Sequence, residues 1–152
     1  MENPFWLSDE DYSSIYTKVP RLNIDVIIHY EDEGIVMVKR AIEPWILHWH
    51  LPGGTVYKGE LIEDATIRIA KAETGLDVEF IRSIDYMEFI KEERGDLEMH
   101  SISIVIEARY KNGELTKDKN AEDIKVIHSL SEISPVIDQH TNLLKKHFKN
   151  LG

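Results

Sequence analysis

Residues 54–76 read GTVYKGELIEDATIRIAKAETGL and combine a glycine turn, a helical pattern and a closing glycine. The adjacent Gly53 and Gly54 let the backbone approach a neighbouring group closely, because no Cβ stands in the way. Acidic residues at positions 63 and 64 favour the first turn of a helix, predicted over about residues 61–73. Gly75 is the left-handed residue expected just past its end. This segment therefore predicts a turn, a helix and a sharp stop.

Three charged side chains of this segment call for a chemical explanation. Glu60 precedes the helix and Arg68 lies about two turns inside it, so they could form an ordinary surface ion pair worth ~0–1 kcal/mol. Glu73 lies in the last turn, where the negative end of the helix dipole disfavours a carboxylate. One interpretation of Glu73 is a solvated side chain, and the other is a ligand of a bound cation.

Outward from this segment, the hydrophobic pattern predicts strands before and after one central helix. The predicted strands cover residues 23–30, 35–38, 55–57, 78–90, 99–110 and 124–127, and two further helices cover residues 8–18 and 135–151. A charged turn is predicted at 91–96 between the two long strands. The fold class is α/β with a mixed sheet, and residues 1–152 are expected to form a single domain.

The composition favours a small anionic ligand over a polymer. With 28 acidic and 18 basic residues, the formal net charge is −10. This balance argues against nucleic acid, which needs a basic face, and against an anionic membrane surface. The absence of cysteine excludes disulfides and thiolate metal sites. No apolar run approaches the ~20 residues that span a bilayer, and residues 1–6 lack the pattern of a secretory signal, so we expect a cytoplasmic protein.

The spacing in residues 54–76 resembles the Nudix signature, G-x5-E-x7-R-E-U-x-E-E-x-G-U, in which U is a bulky aliphatic residue. The matching positions are Gly54, Glu60, Arg68, Glu73, Gly75 and Leu76. The preceding Leu-Pro-Gly also resembles the family, and the predicted strand–turn–helix is the context that the motif needs. The resemblance implies the Nudix fold, a mixed β-sheet sandwiched between helices.

Two positions differ from the signature, because Ile69 and Ala72 stand where the family has glutamates. Positions 69, 72 and 73 share one helix face, so the usual carboxylate cluster is reduced to Glu73. One carboxylate with a backbone carbonyl and water suits a single Mg²⁺ rather than a multi-metal cage. Ile62, Ala65, Ile69 and Ala72 would form an apolar stripe, either core or a wall beside a ligand. This reduced box resembles the GDP-mannose mannosyl hydrolase branch of the family.

The resemblance to that branch extends over most of the chain and implies roles for individual residues. The Gly53 carbonyl and Glu73 would be ligands of one Mg²⁺ per subunit, with Mn²⁺ as the alternative, and the third ligand falls on Asn120. Asp25 takes the place of a functional aspartate, and Arg40 takes the place of a diphosphate contact. The residues implied to be structural in the box are Gly54, Glu60, Arg68 and Gly75.

The general base of that branch, a histidine, falls on Ala121, which cannot accept a proton, and an arginine after the two glycines falls on Thr55. If the reaction is retained, another base must serve, and loss of a base typically costs about 10²–10⁴-fold in rate. The candidates are His100, Glu122 and Asp123. Each also has a structural interpretation, as a hydrogen-bonded strand histidine or as part of a solvated turn.

Aromatic, histidine and buried acidic residues complete the candidate site. The aromatic residues that could stack on a base or sugar, or else anchor the core, are Trp6, Tyr12, Trp45 and Trp49. His48 and His50 share one strand face, and we interpret them as packing or ligand contacts. Asp25 in an apolar strand is costly unless paired, and Arg40 on the next strand is its candidate partner.

Three functions are compatible with the sequence. The first is a hydrolase that cleaves a nucleotide sugar, GDP-mannose-like, at the glycosyl carbon to give a nucleoside diphosphate and a sugar. The second is a Nudix pyrophosphohydrolase that cleaves P–O bonds with carboxylates outside the box, such as Glu88, Glu92, Glu93 or Glu98. The third is a ligand-binding module with little turnover. Each takes a small nucleoside diphosphate derivative as partner, and the resemblance implies a homodimer.

Overall fold

The computed structural model describes residues 7–152, so Trp6 lies outside the described residues. The helices are α1 (Asp9–Tyr16), α2 (Ile62–Thr74) and α3 (Asp138–His147), with short 3₁₀ turns at Glu31–Glu33, Leu130–Glu132 and Lys149–Leu151. The strands are β1 (Arg21–His29), β2 (Ile35–Arg40), β3 (Trp49–His50), β4 (Gly53–Thr55), β5 (Leu76–Arg94), β6 (Leu97–Gly113) and β7 (Ala121–Ile127). Within these residues no helix is long and apolar enough to cross a bilayer.

The strands form one mixed sheet with the order β3-β2-β1-β6-β5, while β4 pairs with β1 and β7 pairs with β2. The pairing of β1 with β6 is parallel, with Ile24 opposite Ile104, and the other strand pairs are antiparallel. The strand order places β1 in the middle of the sheet, between β2 and β6. The predicted mixed α/β fold is therefore confirmed.

Apolar cores lie on the two faces of the sheet. On one face Ile24, Val26 and Ile28 of β1 pack with Ala65 and Ile69 of α2. The second core joins the other face to α3 and contains Ile27, Met37, Trp49, Leu51, Val105, Leu143 and Leu144. Because both faces are covered, β1 is buried without interruption from Ile24 to Ile28, as expected for a strand in the middle of a sheet.

The helix α2 lies within one residue of its predicted bounds and ends as the sequence predicts. Gly75 has φ +75°, a conformation that residues with a side chain rarely adopt, and a Cβ there would lie 2.5 Å from the Glu114 carbonyl oxygen. Both the backbone conformation and the close contact therefore exclude a side chain at this position. The predicted apolar stripe is only partly core. Ala65 and Ile69 are buried, whereas Ala72 is exposed.

Several element bounds differ from the predictions for identifiable reasons. β5 and β6 continue through the predicted charged turn at 91–96, because Glu92 pairs with Met99 and Arg94 with Leu97. The short strand predicted at 55–57 lies at Gly53–Thr55, where it pairs with β1. The last helix begins at Asp138 rather than at residue 135, because Trp49 N–H donates to the Pro135 carbonyl and Ile137 N–H donates to the Trp49 carbonyl.

Candidate active site

A cavity of about 120 Å³ opens between β1, the loop after β2, the distal part of β5 and the start of α3. Its polar lining comes mainly from Arg21, Asn23, Asp25, Arg40, His50, Gly53, Glu92, Arg94 and His140, and its apolar lining includes Trp45, Phe89 and Ile137. Few apolar and many charged groups meet here, so the cavity suits a polar, charged ligand.

Asp25 lies at the floor of this cavity, on the central strand. Its carboxylate accepts a hydrogen bond from Ser103 Oγ on β6, and its residue exposure is 8%. Burial raises the pKa of Asp25 to about 7, against the hydrogen bond from Ser103, and the negative charges of Glu92 and Glu73 act in the same direction as burial. The prediction that Arg40 is the partner of Asp25 is wrong, because Ser103 donates to Asp25 and Arg40 donates to backbone carbonyls of residues 42–44.

Gly53 and Glu73 come together beside Asp25. Gly53 N–H donates to Glu73 Oε1 at 3.4 Å, so the end of α2 is joined to β4. Burial, aided by the negative charge of Asp118, raises the pKa of Glu73 to about 7 against the hydrogen bond from Gly53 and the positive charge of Arg40. A carboxylate in this position, close to a second one, is stabilised by a cation.

Glu73 is the acidic side chain that lies against the Gly53 backbone, where the sequence predicts a divalent cation. Across residues 7–152, no cluster of three or more His, Cys, Asp or Glu side chains could hold a metal ion. A cation here would therefore rely on Glu73, the Gly53 carbonyl and water, the oxygen ligands that Mg²⁺ prefers. In the turn before β7, Asp118 is the residue whose charge acts on Glu73, while the predicted ligand Asn120 is exposed and donates its N–H to Asp118 Oδ2 at 3.4 Å.

Three guanidinium groups, those of Arg21, Arg40 and Arg94, line the same cavity as the acidic groups. Arg40 donates to the carbonyls of Ile42, Glu43 and Pro44, which fixes it in the loop after β2. Burial lowers the pKa of Arg40, and the neighbouring positive charge of Arg94 lowers it further. The pKa of Arg94 is lowered mainly by burial as well, with Arg21 adding to the effect. Neighbouring positive charges that repel one another in this way favour the binding of an anion.

The predicted box residues Glu60 and Arg68 form a partly buried bidentate pair. Arg68 Nε and Nη2 donate to the two carboxylate oxygens at 2.8 and 2.9 Å, and Nη2 also donates to the Thr55 carbonyl at 2.8 Å. The guanidinium carbon lies 3.7 Å from the centre of the Tyr57 ring, and Tyr57 N–H donates to Glu60. This network ties α2 to the turn after β4, which positions Gly53, Gly54 and Glu73.

The comparison with known families decides the identity of this arrangement. A family model described as NUDIX domain matches residues 19–151. The chain is a member of the Nudix hydrolase family.

Related proteins extend this identification. The chain is 26% identical over 142 residues to the low-salt glycan biosynthesis protein Agl8 of Haloferax volcanii, across 91% of this chain and 90% of that protein. It is 30% identical over 132 residues to the ADP-ribose pyrophosphatase of Methanocaldococcus jannaschii, across 86% of this chain and 74% of that one. A MutT NUDIX hydrolase structure from Burkholderia pseudomallei matches with a TM-score of 0.74 at 24% identity, covering 85% of this chain and 98% of that one, which supports the fold.

Several residues predicted for the Nudix site lie outside the cavity lining. His100 lines a different cavity beside residues 16–20, and its Nε2 is buried without a hydrogen-bond partner within residues 7–152. The side chain of Glu122 is exposed on β7. Trp49 is a core residue with 6% exposure, and Lys39 Nζ lies 6.0 Å from the centre of its ring. Tyr12 on α1 accepts a hydrogen bond from Arg21, which itself lines the cavity.

Sequence reasoning missed part of the Nudix cavity. Arg94 fell in a predicted turn and was not named, and Glu92 was named only among four acidic residues of which three lie outside the cavity lining, although the paired strand brings both to the cavity. Their alternation along β5, two residues apart, was a signal for one strand face. His140 follows Ile137 by three residues on α3, the spacing of the buried helix face, and this could have marked it as an inward residue.

Proposed function

We propose that this Nudix protein hydrolyses a nucleotide sugar at the glycosyl carbon, releasing a nucleoside diphosphate and the free sugar. The observation that carries the proposal is the carboxylate set around the predicted cation site. Glu73 is half-buried against Gly53, while positions 69 and 72 of the same helix face carry Ile and Ala. Such a site holds one cation on a diphosphate, and it lacks the carboxylates for a multi-metal cage around an attacked phosphorus.

The charged walls of the cavity support a diphosphate as the central group of the ligand. Arg21, Arg40 and Arg94 all line the cavity, and planar guanidinium groups match phosphate oxygens well. A divalent cation bound at Glu73 and the Gly53 carbonyl would supply Lewis-acid stabilisation of the charge that develops on the departing diphosphate. Diphosphate would then lie between the arginines and the acidic side of the site.

The sugar half of the proposal draws on Asp25 and on one relative. Asp25 lines the cavity beside Gly53, and in the proposed complex its carboxylate accepts a hydrogen bond from a sugar hydroxyl. The likeness to a glycan biosynthesis protein over 91% of this chain supports a sugar-linked substrate.

A second candidate function is P–O cleavage of a nucleoside diphosphate derivative, and Glu92 favours it. Of the four acidic residues considered outside the box, Glu92 is the one that is buried in the cavity, where it accepts from Ser101 Oγ at 2.5 Å and pairs with Arg21 at 3.9 Å. The relative named ADP-ribose pyrophosphatase supports this candidate. A ligand-binding module with little turnover is the third, and Ala121 in place of the general base favours it.

An isotope experiment separates these functions. The protein is incubated with Mg²⁺ or Mn²⁺, a panel of nucleotide sugars and ADP-ribose in ¹⁸O-water, and the products are analysed by mass spectrometry. We expect the label in the released sugar, because water attacks the glycosyl carbon. Label in a phosphate product would establish P–O cleavage instead, and binding without turnover would establish a ligand-binding module.

The Glu73→Gln variant tests the cation site itself. Loss of groups that merely orient a metal ligand costs about 10–100-fold, so removing the ligand charge should cost at least that much in metal affinity and turnover. Glu63→Gln is the matched control, because Glu63 is exposed in the first turn of the same helix. If both variants bind Mg²⁺ as the wild-type protein does, the cation site is not at Glu73.

A further inference from the structure

Two buried histidines meet at the backbone of Leu51, on the wall of the cavity. His50 Nδ1 lies 2.5 Å from the Leu51 carbonyl oxygen, and Leu51 N–H donates to His140 Nδ1 at 3.0 Å. The two rings have centroids 6.1 Å apart, and their residue exposures are 7% and 3%. The hydrogen bonds between Trp49 and residues 135–137 seat the start of α3 on β3, which brings His140 to this position.

The single peptide unit of Leu51 assigns opposite tautomers to the two rings. A carbonyl oxygen only accepts, so His50 Nδ1 must carry the proton and Nε2 keeps its lone pair. A backbone N–H only donates, so His140 Nδ1 is the acceptor and its Nε2 carries the proton. Within residues 7–152, His50 Nε2 has no hydrogen-bond partner. The cavity wall thus offers one free basic nitrogen.

We propose that His50 is the general base of the site, accepting through Nε2 the proton of the attacking water. This inference rests on the proposed function. In the step, the water oxygen forms a bond to the glycosyl carbon while the bond from that carbon to the diphosphate oxygen breaks. The electron pair of the broken bond stays on the diphosphate, and the proton of the water passes to His50 Nε2. His140 is a positioning residue, because it holds the Leu51 peptide that fixes the tautomer of His50.

The other groups in the cavity are less suited to this role. Ala121 occupies the position that the resemblance assigns to the base, and its side chain carries no proton acceptor. The carboxylate of Glu92 is engaged by Ser101 and lies 3.9 Å from Arg21. The carboxylate of Asp25 is engaged by Ser103 and lies against Gly53, on the cation side. His50 is the neutral base with an unengaged nitrogen among the cavity-lining residues that the structure describes.

The charges around His50 couple its basicity to the ligand. Burial, together with the positive charge of Arg40, lowers the pKa of His50 to about 3 against the hydrogen bond to Leu51, so the ring is neutral at ordinary pH. The titratable and charged groups that face this region are Arg21 and Asp25 of β1, Arg40 of β2, Glu92 and Arg94 of β5, and His140 of α3. A diphosphate held by Arg40 would offset the effect of that charge, while the larger effect of burial remains, so the basicity of His50 rises when the substrate is present.

The test compares His50→Gln with His48→Gln on the full chain. His48 also places Nδ1 near a backbone carbonyl, that of Ile46 at 3.2 Å, but it does not line the cavity. We expect His50→Gln to lower kcat by about 10²–10⁴-fold with little change in KM, and added imidazole to restore turnover to His50→Ala. His48→Gln should keep the wild-type kcat. Equal kcat values for the two glutamine variants would overturn the assignment of His50.

A second measurement keeps the proposal testable if the variants fold poorly. Nitrogen-15 spectra of the wild-type protein should show a proton on Nδ1 of His50 and on Nε2 of His140, and the reverse for His50 would overturn the proposal. The two proposals fail differently in the isotope experiment. Label in phosphate would refute attack on the glycosyl carbon, while the comparison of the histidine variants would still test His50 as the base. Absence of turnover by the wild-type protein would refute both the proposed function and the role of His50.

Discussion

Replacing Gly53 with alanine is expected to damage both stability and activity, because this glycine faces the carboxylate of Asp25. A Cβ at Gly53 would lie 2.9 Å from the Ile24 carbonyl oxygen and 3.0 Å from Asp25 Cγ, and closer still to Asp25 Oδ1. All three atoms belong to residues of the central strand, whose backbone cannot shift without disturbing its pairing with β4 and β6. The contact must therefore be relieved by moving β4 or by rotating the buried carboxylate.

The size of the effect follows from the crowding. Forcing an extra methyl group into a packed region costs about 1–3 kcal/mol in the free energy of unfolding. For a domain of this length that corresponds to a decrease in Tm of roughly 2–4 °C for each kcal/mol. A shift of about 1 Å in a catalytic group can cost about 100-fold in rate, so turnover should fall by a factor of this order. The assay is thermal unfolding together with turnover of the nucleotide sugar identified in the isotope experiment.

Gly54→Ala is the matched control for Gly53→Ala. A Cβ at Gly54 would meet Ile69 Cδ1 and Cγ1, both at 3.2 Å, and these atoms belong to a flexible side chain that can give by a few tenths of an ångström. We expect a clearly smaller loss of Tm and of turnover than for Gly53→Ala. If the two variants behave alike, or if Gly53→Ala keeps wild-type turnover, then Gly53 is not required for the close approach of backbone to Asp25.

Further predictions concern the residues that hold the site in place. Arg68→Lys should lower the free energy of unfolding, measured in urea, by about 1–2 kcal/mol, because one ammonium cannot replace a bidentate guanidinium stacked on a ring. Arg82→Lys is the control, because the side chain of Arg82 is 68% exposed, and it should change the free energy of unfolding by less than about 0.5 kcal/mol. Equal losses in the two variants would contradict this prediction. The hydrogen bond from Arg68 lowers the pKa of Glu60 below 4.5 in the folded protein. The ionised carboxylate therefore stabilises the folded state fully above pH 4.5, and this stabilisation is lost as the pH falls through the lowered pKa. Glu60→Gln should remove that part of the pH dependence of urea unfolding. Hydrogen bonds from His147 and Lys146 lower the pKa of Asp85. Asp85→Asn should therefore reduce the free energy of unfolding near neutral pH and flatten the decline of that free energy below pH 3.8. An unchanged acid profile would show that this contact between β5 and α3 does not contribute to stability.

The central helix and its capping glycine were predictable because their signals are local. Gly75 must adopt a left-handed conformation, and the spacing of Glu60 and Arg68 brings them together across the turn that begins the helix. The mixed sheet was predictable from strands that alternate with this helix. The start of α3 was not, because it depends on a pairing between Trp49 and residues 135–137 that is remote in sequence.

The cavity was only half predictable for the same reason. Asp25, Arg40 and Gly53 were named from the sequence, and the structure brings them together. Glu92 and Arg94 looked like members of a charged turn, since a run of charges between two strands is usually solvated. Their inward position depends on the long hairpin of β5 and β6, whose pairing with residues 97–99 keeps the chain extended there. Contacts of this kind are set by strand register, which composition does not reveal.

The two departures from the Nudix signature differ in physical character, and this difference explains the reduced box. Ile69 is 2% exposed and packs under Gly54 in the core between α2 and the sheet, so a carboxylate there would be a buried charge costing several kcal/mol unless a cation or a partner met it. Ala72 is exposed, so a glutamate there would meet no such penalty. The absence at 72 could be reversed by one surface change, whereas the absence at 69 is built into the packing of the helix. The core therefore excludes a carboxylate at position 69, and with alanine at 72 any acid or base besides Glu73 must come from the other walls of the cavity, where Asp25, Glu92 and His50 lie.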